Sequence, residues 1–349
     1  MATAGLASRA PKFDGTLISF VAVHIAALGV FWSGMGWREA GIAVALYFVR
    51  MFAITGGYHR LFAHRAYRTS RAFQFGMAFI AQTSLQSGAV WWAAKHRDHH
   101  RYSDTPRDVH SPRRYGFWFA HMGWIFHAQG GKADYSRVPD LTQHPELMWL
   151  DRNRFGPGIL LGFVVWMLDG WPGVFGGFLL STVVLYHCTF MINSVAHVSG
   201  TQRYLTGDDA RNNWWLAILT LGEGWHNNHH YFMASSRQGF YWWEVDVTYY
   251  LLRGLATVGL VWDLKEPPAH VLAGQRSLSD ELKERVAEHL AGSFVRNLPQ
   301  LPTIEEMRRR AQKMFARSPA MDEIIARARE MLELYLSGQL ALQPVRIRA

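Results

Sequence analysis

The sequence predicts an all-α integral membrane protein, with four transmembrane helices in two hairpins and a helical cap on the cytoplasmic side. Composition is the first indication: of the 349 residues, 49% are hydrophobic and 14% aromatic, with 15 tryptophans. The second is the long polar stretches between and after the apolar runs, which keep the mean hydropathy at −0.06. The third is a set of histidine clusters beside those runs. Together they favour a membrane domain that carries a large aqueous cap.

Four apolar runs approach the length of about 20 helical residues that crosses a bilayer. We predict spans over about 16–32, 40–58, 156–170 and 173–196. Short turns join the first span to the second and the third to the fourth, so each pair forms a hairpin that returns the chain to its starting side. A further apolar run, over about 72–94, contains several glutamines and serines, and we interpret it as an interfacial helix.

Basic residues set the orientation. Lysines and arginines crowd the segment between the two hairpins, whereas the hairpin turns contain only Arg38. Because such residues are retained on the cytoplasmic side, we expect the cap and both termini there. The chain then divides into a cytoplasmic segment over 1–15, a membrane domain over 16–268 and an amphipathic helical extension over 269–349. Apolar residues recur at helical spacing in that extension, as in Ile304, Met307, Ala311 and Met314.

Three histidine clusters predict a metal centre. They are His59-Arg-Leu-Phe-Ala-His64, His96-Arg-Asp-His-His100 and His226-Asn-Asn-His-His230. Spacings of three and four residues place side chains on one face of a helix, and imidazole is a ligand of iron, copper, zinc and nickel. Eight clustered histidines exceed what one tetrahedral zinc uses, so we predict a two-metal centre. The isolated histidines are expected to be ordinary hydrogen-bonded residues; they are His24, His187, His270 and His289.

The sequence around the clusters extends the pattern. It includes the run from His100 to Trp124, Asn193-Ser-Val-Ala-His197, and Gly222-Glu-Gly-Trp before the third cluster. In these segments and in all three boxes, the chain resembles the membrane acyl-CoA delta-9 desaturases of the stearoyl-CoA desaturase type, over about residues 15–268. The resemblance implies an O2-dependent oxidoreductase that inserts a cis double bond into a saturated long-chain acyl thioester, here in a bacterial inner membrane.

The resemblance also implies a site: two irons held by nine histidines, with O2 as co-substrate. Asn193 would contact a metal through water, and Gln86 and Trp92 would line the bend of a buried acyl tunnel. The nine implied ligands are His59, His64, His96, His99, His100, His197, His226, His229 and His230.

The acyl carrier is expected to be CoA, although the chain departs from the animal enzymes at one point. Where those enzymes have Arg-Asp before the second box, this chain has Ala94-Lys95. Lys95, Arg113 and Arg114 are the candidate ligands of the CoA phosphates. A carrier-protein thioester and a lipid-esterified chain are the alternatives.

The predicted partners are the lipid bilayer and a separate electron donor, with no nucleic acid. Cys188 is the one cysteine, which excludes a cysteine-ligated iron–sulfur cluster within the chain. A net charge of +9 and a pI near 9.8 favour an acidic donor such as a ferredoxin, a rubredoxin or a free cytochrome.

Two other functions are compatible with histidine boxes. A membrane di-iron hydroxylase or alkane-type monooxygenase shares them, but the segment from Asn193 to His197 argues against it. A histidine-rich metal transporter would place its ligands in the middle of its spans. Here the clusters lie at or beyond the ends of the predicted spans, so acyl desaturation is the leading interpretation.

Overall fold

The structure is a computed structural model that describes residues 15–127, 131–275, 280–297 and 321–336. The chain forms two compact units. The first comprises Met1–Thr201 and Ala210–Pro267, and the second comprises Gln202–Asp209 and Pro268–Ala349. The sequence did not predict that Gln202–Asp209 belongs with the C-terminal unit.

The first unit is mostly helical. Its helices before the second histidine box are α1 (Gly15–Ala27), α2 (Val30–Ser33), α3 (Trp37–Phe52), the π-helix Ala53–Ala63, and α4 (Arg71–Gln82). Those that follow are α5 (Ala89–Tyr102), α6 (Pro112–Tyr115), α7 (Phe117–His121), α8 (Pro139–Thr142), α9 (Pro145–Arg152), α10 (Gly156–Pro172), the π-helix Gly173–Leu179, α11 (Leu180–Ser194), α12 (Trp214–Leu219), α13 (His226–Tyr231) and α14 (Val247–Thr257). Short 3₁₀ turns cover Gly123–Phe126, Tyr135–Arg137 and Val195–His197. Two short antiparallel strands, β1 (Arg68–Thr69) and β2 (Val261–Trp262), pair Arg68 with Trp262.

Three helical stretches of the described residues are long and apolar enough to cross a membrane: Gly15–Ser33, Trp37–Ala63 and Gly156–His197. The third, of 42 residues, is broken at Gly170, which has φ 61° and ψ −154°. A Cβ on Gly162 would lie 3.2 Å from the Phe178 ring, so the chain segments on the two sides of the break pack against each other. The mostly helical membrane fold is thus confirmed, while the number of crossings stays a prediction.

The predicted single helix over 72–94 is wrong. The structure has two helices there, α4 and α5, separated by a turn in which Leu85 and Ser87 have positive φ angles of 60° and 69°. The hydroxyls of Thr83 and Ser84 donate to the carbonyls of Ile80 and Ala81, and so compete with continued helix. The turn redirects the chain, and α5 carries the second histidine box.

The core of the first unit surrounds the helix that carries the first box. Apart from half-buried Phe52, every residue from Arg50 to Ala63 is buried. Helices α4, α5 and α14 pack against it, the first two through small residues such as Ala78 and Ala93. Arg50 donates to the hydroxyls of Ser181 (2.5 Å) and Thr182 (2.7 Å), and so ties α3 to α11. The first box therefore has a rigid support.

The second unit contains α15 (Ala269–Leu272), α16 (Asp280–Asn297) and α17 (Met321–Leu336). Helices α16 and α17 bury Val286, Ala287 and Leu332, and Arg329 pairs with Glu284 at 2.5 Å. The predicted apolar face of Ile304, Met307, Ala311 and Met314 lies outside the described residues, as does nearly all of the predicted segment 1–15.

Candidate metal centre

A π-helix positions the first histidine box. The backbone N–H of His64 donates to the carbonyl of His59 at 3.1 Å, the i to i+5 bond of a π-helix. In an α-helix, side chains five residues apart would point about 140° away from each other. The π-helix instead brings both rings to one side, with centroids 4.8 Å apart. This helix was not predicted from the sequence, although the five-residue spacing between His59 and His64 was its signal.

The other two boxes lie on short helices that face the first. His96, His99 and His100 are in the last turns of α5, and His226, His229 and His230 are three of the six residues of α13. His197 ends the 3₁₀ turn that follows α11. All nine predicted histidines are therefore brought to one region.

The nine histidines divide into two groups. Within each group the candidate ligand nitrogens lie within 4.8 Å of one another. The second and third boxes each contribute to both groups. The His99 ring lies 5.5 to 6.0 Å from those of His96 and His100, which are 4.5 Å apart, and the His229 ring lies 5.8 to 6.0 Å from those of His226 and His230, which are 4.3 Å apart. The first group is His59, His64, His96, His100 and His229, and the second is His99, His197, His226 and His230.

The spacing of the nitrogens fits metal ligation. The Nε2 of His96 lies 2.9 Å from the Nε2 of both His64 and His100, and the Nε2 of His229 lies 2.9 Å from that of His100 and 3.0 Å from that of His59. A neutral Nε2 carries either one hydrogen or one lone pair. It therefore does not form good hydrogen bonds with two neighbouring Nε2 atoms at once. Two nitrogens each about 2.1 Å from one ion, at right angles, are about 3.0 Å apart.

Four histidines of the first group are held in the form that binds metals. Burial lowers the pKa of His64, His96, His100 and His229, and the neighbouring imidazoles lower it further. These rings are therefore neutral at pH 7, and each has a lone pair available for an ion.

Carboxylates contact the far nitrogens of three of these histidines. Glu223 contacts Nδ1 of His59, Asp104 lies 3.4 Å from Nδ1 of His197, and Asp108 lies 3.5 Å from Nδ1 of His99. Such partners orient metal-bound imidazoles. Burial opposes ionisation of Glu223, but His59, Arg60 and Gln238 outweigh it and lower the pKa of this carboxyl. Asp98, a further carboxylate within the second box, pairs instead with Arg137 at 3.1 Å.

His110 was not among the residues predicted from the sequence. Its Nδ1 lies 3.4 Å from Asp108, and its ring lies 4.4 Å from that of His99. Burial lowers the pKa of His110 to about 3. Burial opposes ionisation of Asp108 as well, but His110 and His99 lower the pKa of that carboxyl overall. The spacing Asp108-Val-His110 was the available signal.

A cavity of about 180 Å³ in the first unit reaches both groups. Its lining includes His59 and His96 from the first group and His226 from the second, together with apolar and aromatic side chains. Asn193, Gln86 and Trp92 also line it. Gln86 donates to the hydroxyl of Thr189 at 3.0 Å, and Trp92 stacks on His96 with centroids 4.8 Å apart.

The three candidate phosphate ligands are not among the residues that line the cavity. Lys95 donates to the carbonyl of Lys132 (3.1 Å) and lies over the ring of Trp124. Arg114 donates to the carbonyl of Asp104 (2.9 Å), and Arg113 is half-buried. The structure does not bring them together with the cavity.

Three further histidines form a separate hydrogen-bonded chain. Nε2 of His24 lies 3.2 Å from Nε2 of His187, whose Nδ1 lies 2.9 Å from Nε2 of His121. Nδ1 of His24 donates to the carbonyl of Phe20 at 2.8 Å, which fixes the direction of every bond in the chain. These histidines join α1, α11 and α7 behind the cavity wall.

The comparison with known proteins decides the family. The model of the family described as "Fatty acid desaturase" matches residues 35–258. The chain belongs to this family. It is 37% identical over 249 residues to the sn-1 stearoyl-lipid 9-desaturase of Anabaena variabilis, covering 70% of this chain and 91% of that protein. It is 36% identical over 258 residues to the sn-2 palmitoyl-lipid 9-desaturase of Nostoc sp. (strain 36), covering 72% and 90%.

The name of another relative gives CoA, and not a lipid, as the carrier of the acyl chain. The acyl-CoA C20 Delta5-desaturase of Anemone leveillei is 35% identical over 239 residues, covering 67% of this chain and 76% of that protein. The predicted enzyme class is confirmed: this desaturase is an oxidoreductase of lipid metabolism.

Proposed function

We propose that this desaturase inserts a cis double bond, at the delta-9 position, into a saturated long-chain acyl group. O2 is the oxidant, and two irons are held by the two histidine groups. The observation that carries the proposal is that one largely apolar cavity borders ligands of both groups. An acyl chain in that cavity would lie beside both metals.

The ligand set is part of the proposal. His59, His64, His96, His100 and His229 would hold one iron, and His99, His197, His226 and His230 the other, with Asn193 acting through water. Imidazole suits iron, and bound iron supplies the O2 chemistry that an unactivated methylene requires. The acyl chain loses two hydrogens, while O2 takes these together with two electrons and two protons to give two waters.

The chain's own residues hold the substrate and the ligands in place. Apolar and aromatic walls exclude water from the cavity, and the bond from Gln86 to Thr189 ties the turn before α5 to α11. Trp92 lines the cavity and stacks on His96, a proposed ligand. Glu223, Asp104 and Asp108 fix the orientation of the rings that they contact. The task of the fold is to present two adjacent C–H bonds to the metals.

For the acyl carrier we propose a lipid-linked chain, with acyl-CoA, the carrier expected from the sequence, as its competitor. The Anabaena and Nostoc relatives are named acyl-lipid desaturases. In addition, Lys95 and Arg114 donate to backbone carbonyls, and neither residue lines the cavity. Neither observation favours a site for the CoA phosphates.

The proposed topology has four crossings, with the cap and both termini in the cytoplasm of a bacterial cell. The break at Gly170 divides the third apolar stretch into two packed helical segments, as two crossings require. The electron donor would be a separate acidic protein, consistent with the net charge of +9.

Product analysis tests the function. The chain is expressed in a bacterial host, and the double bond in each lipid fatty acid is located by mass spectrometry, with His96→Ala as the inactive control. An alkene at the ninth carbon is expected. A hydroxylated chain would establish the hydroxylase alternative instead. Purified protein supplied with either stearoyl-CoA or a distearoyl lipid then distinguishes the two carriers.

A further inference from the structure

An exposed apolar surface lies outside the three candidate membrane stretches. It is formed by α12 and by the loop before α14, and includes Trp214, 66% exposed, and Trp242, 80% exposed. A surface of this kind on a soluble cap would be unusual and marks an interaction site. We call it the aromatic face, and its members are Trp214, Trp215, Ile218, Leu219, Trp242 and Trp243.

Helix α12 is apolar on all sides. Leu216 and Ala217 are buried in the protein, while the opposite side exposes Trp214, Trp215, Ile218 and Leu219. A helix without a polar face belongs in a protein core or in a membrane. Since the protein covers only one side of α12, a different apolar medium must cover the other.

The depth of α12 follows from α3. The second candidate membrane stretch begins at Trp37, and the proposed topology places this end on the non-cytoplasmic side. Residues from Trp37 to Val49 cover about 20 Å at 1.5 Å per residue, less than the roughly 30 Å of a hydrocarbon core. From Arg50 onward the helix is enclosed by protein. The protein around that part of the helix must therefore enter the bilayer.

One hydrogen bond places α12 at that level. The hydroxyl of Tyr47 donates to the carbonyl of Leu219 at 2.6 Å. Tyr47 is ten residues beyond Trp37, or about 15 Å along the helix, which is near the bilayer midplane. The C-terminal end of α12 therefore lies well below the membrane surface.

The backbone of α12 suits a medium without water. Its last four carbonyls all accept hydrogen bonds from the protein: Leu216 from Thr220 N–H (2.9 Å), Ala217 from Gly222 N–H (2.7 Å), Ile218 from Leu221 N–H (3.5 Å), and Leu219 from Tyr47. Helix ends normally leave such carbonyls to water, and hydrocarbon would offer them nothing.

We propose that α12 is a re-entrant segment that dips into the cytoplasmic leaflet, with lipid acyl chains covering the aromatic face. Trp242 and Trp243 lie at the interface, as tryptophans at membrane boundaries do. The inference rests on the proposed membrane topology and not on the desaturase reaction. Helix α12 leads directly into Thr220 and Glu223, which line the cavity, so its seating in the bilayer anchors that end of the site.

Spin-label accessibility tests the proposal. The full chain, with Cys188→Ala, is labelled singly at Ile218→Cys or Trp242→Cys and reconstituted in vesicles of phosphatidylcholine and phosphatidylglycerol. Phe31→Cys, in the first candidate span, and Ser136→Cys, on the exposed cap, are the matched controls. The side chains of Phe31, Ile218 and Trp242 are large and apolar, and that of Ser136 is small and polar. None of the four is buried, so labelling should not disturb the packing.

We expect the ratio of O2 to nickel-reagent accessibility at position 218 to be at least that at Phe31, which lies near the end of its span, and to exceed that at Ser136 several-fold, with position 242 between positions 218 and 136. A ratio at 218 equal to that at 136 would place α12 in water and overturn the proposal. A label at 218 shielded from both reagents would show a protein partner on the face, which overturns it equally. The Phe31 label reports on the topology, and no turnover is involved, so failure here is distinct from failure of the proposed function.

Discussion

The two histidine groups contain the same ligand type but are supported differently. In the first, His59 contacts Glu223, which belongs to a buried network: Arg60 lies 3.1 Å from Glu223 and 2.9 Å from Asp246. In the second, the supporting Asp104 and Asp108 come from one loop after α5, and the Asp104 N–H donates to Asp108 at 2.9 Å. The first group is thus fixed by charge pairs within the core, and the second by a local turn.

This difference means that the two groups should respond differently to change. The first has five histidines, one of them in an enclosed helix, so its geometry depends on the packing of several elements. The second has four, and Asn193 lines the cavity beside His226. A group with fewer imidazoles leaves more of its coordination to water and to neighbouring polar groups.

The largest effect is expected from Arg60→Ala. This change leaves Glu223 and Asp246 buried without their shared cation, and breaking one partner of a buried pair costs about 3–5 kcal/mol. Thermal unfolding in detergent measures the loss. Arg68→Ala, which removes an exposed arginine paired with Asp263 at 3.4 Å, is the matched control and should unfold like the native chain. Equal unfolding of both variants would show that the core network does not support the first group.

Next in size is the loss of a single ligand from either group. His64→Ala and His197→Ala should each lower turnover by more than about 100-fold and retain about half of the iron, because each variant disables only one group. Iron content and product formation are measured on the same preparations. His121→Ala, a histidine outside both groups, should keep its full iron content. Full iron content and turnover in His197→Ala would remove that residue from the ligand set.

The histidine spacings predicted the candidate site, but not how the nine histidines divide into two groups. Three- and four-residue spacings brought His96, His99 and His100 together, yet only the structure shows that His99 serves the other group. The π-helix that carries His59 was not predicted, because helical periodicity in a sequence is normally evaluated at 3.6 residues per turn. The end of α4 at Gln82 was not predicted either. The polar residues that follow were interpreted as a sign of a helix at the membrane interface, whereas the hydroxyls of Thr83 and Ser84 help to end the helix.

Of the fold, the apolar runs predicted the membrane stretches, since length and composition decide them. The assignment of Gln202–Asp209 to the second unit had no sequence signal. That grouping depends on tertiary contacts such as the one that a Cβ on Gly207 would make with Val286 at 3.3 Å.

A smaller effect is expected from Asn193→Ala. If water held by Asn193 completes the four-histidine group, turnover should fall by roughly 10–100-fold, the usual cost of losing such a partner, while the five-histidine group keeps its iron. The stability of the fold should not change, because Asn193 is half-buried at the cavity. Unchanged turnover would show that the two groups do not differ in their need for a further polar partner.

The smallest effect is expected from breaking an exposed ion pair, Arg71 with Glu146, whose contribution to stability can be compared with that of the buried network. Arg71 donates to both carboxylate oxygens of Glu146, at 2.6 and 2.8 Å, which lowers the pKa of Glu146 to about 2. Because the folded pKa lies below the unfolded value of about 4.3, the pair stabilises the fold above pH 4.3, and the contribution is lost as the pH falls toward 2. Solvent screens exposed pairs, so Glu146→Gln should lower the unfolding temperature at pH 7 by less than about 3 °C. Thermal unfolding of the native chain and of the variant at pH 7 and pH 3 measures the difference, which should shrink at the lower pH. If Glu146→Gln lowered the unfolding temperature as much as Arg60→Ala, burial would not explain the difference between the core network and a surface ion pair.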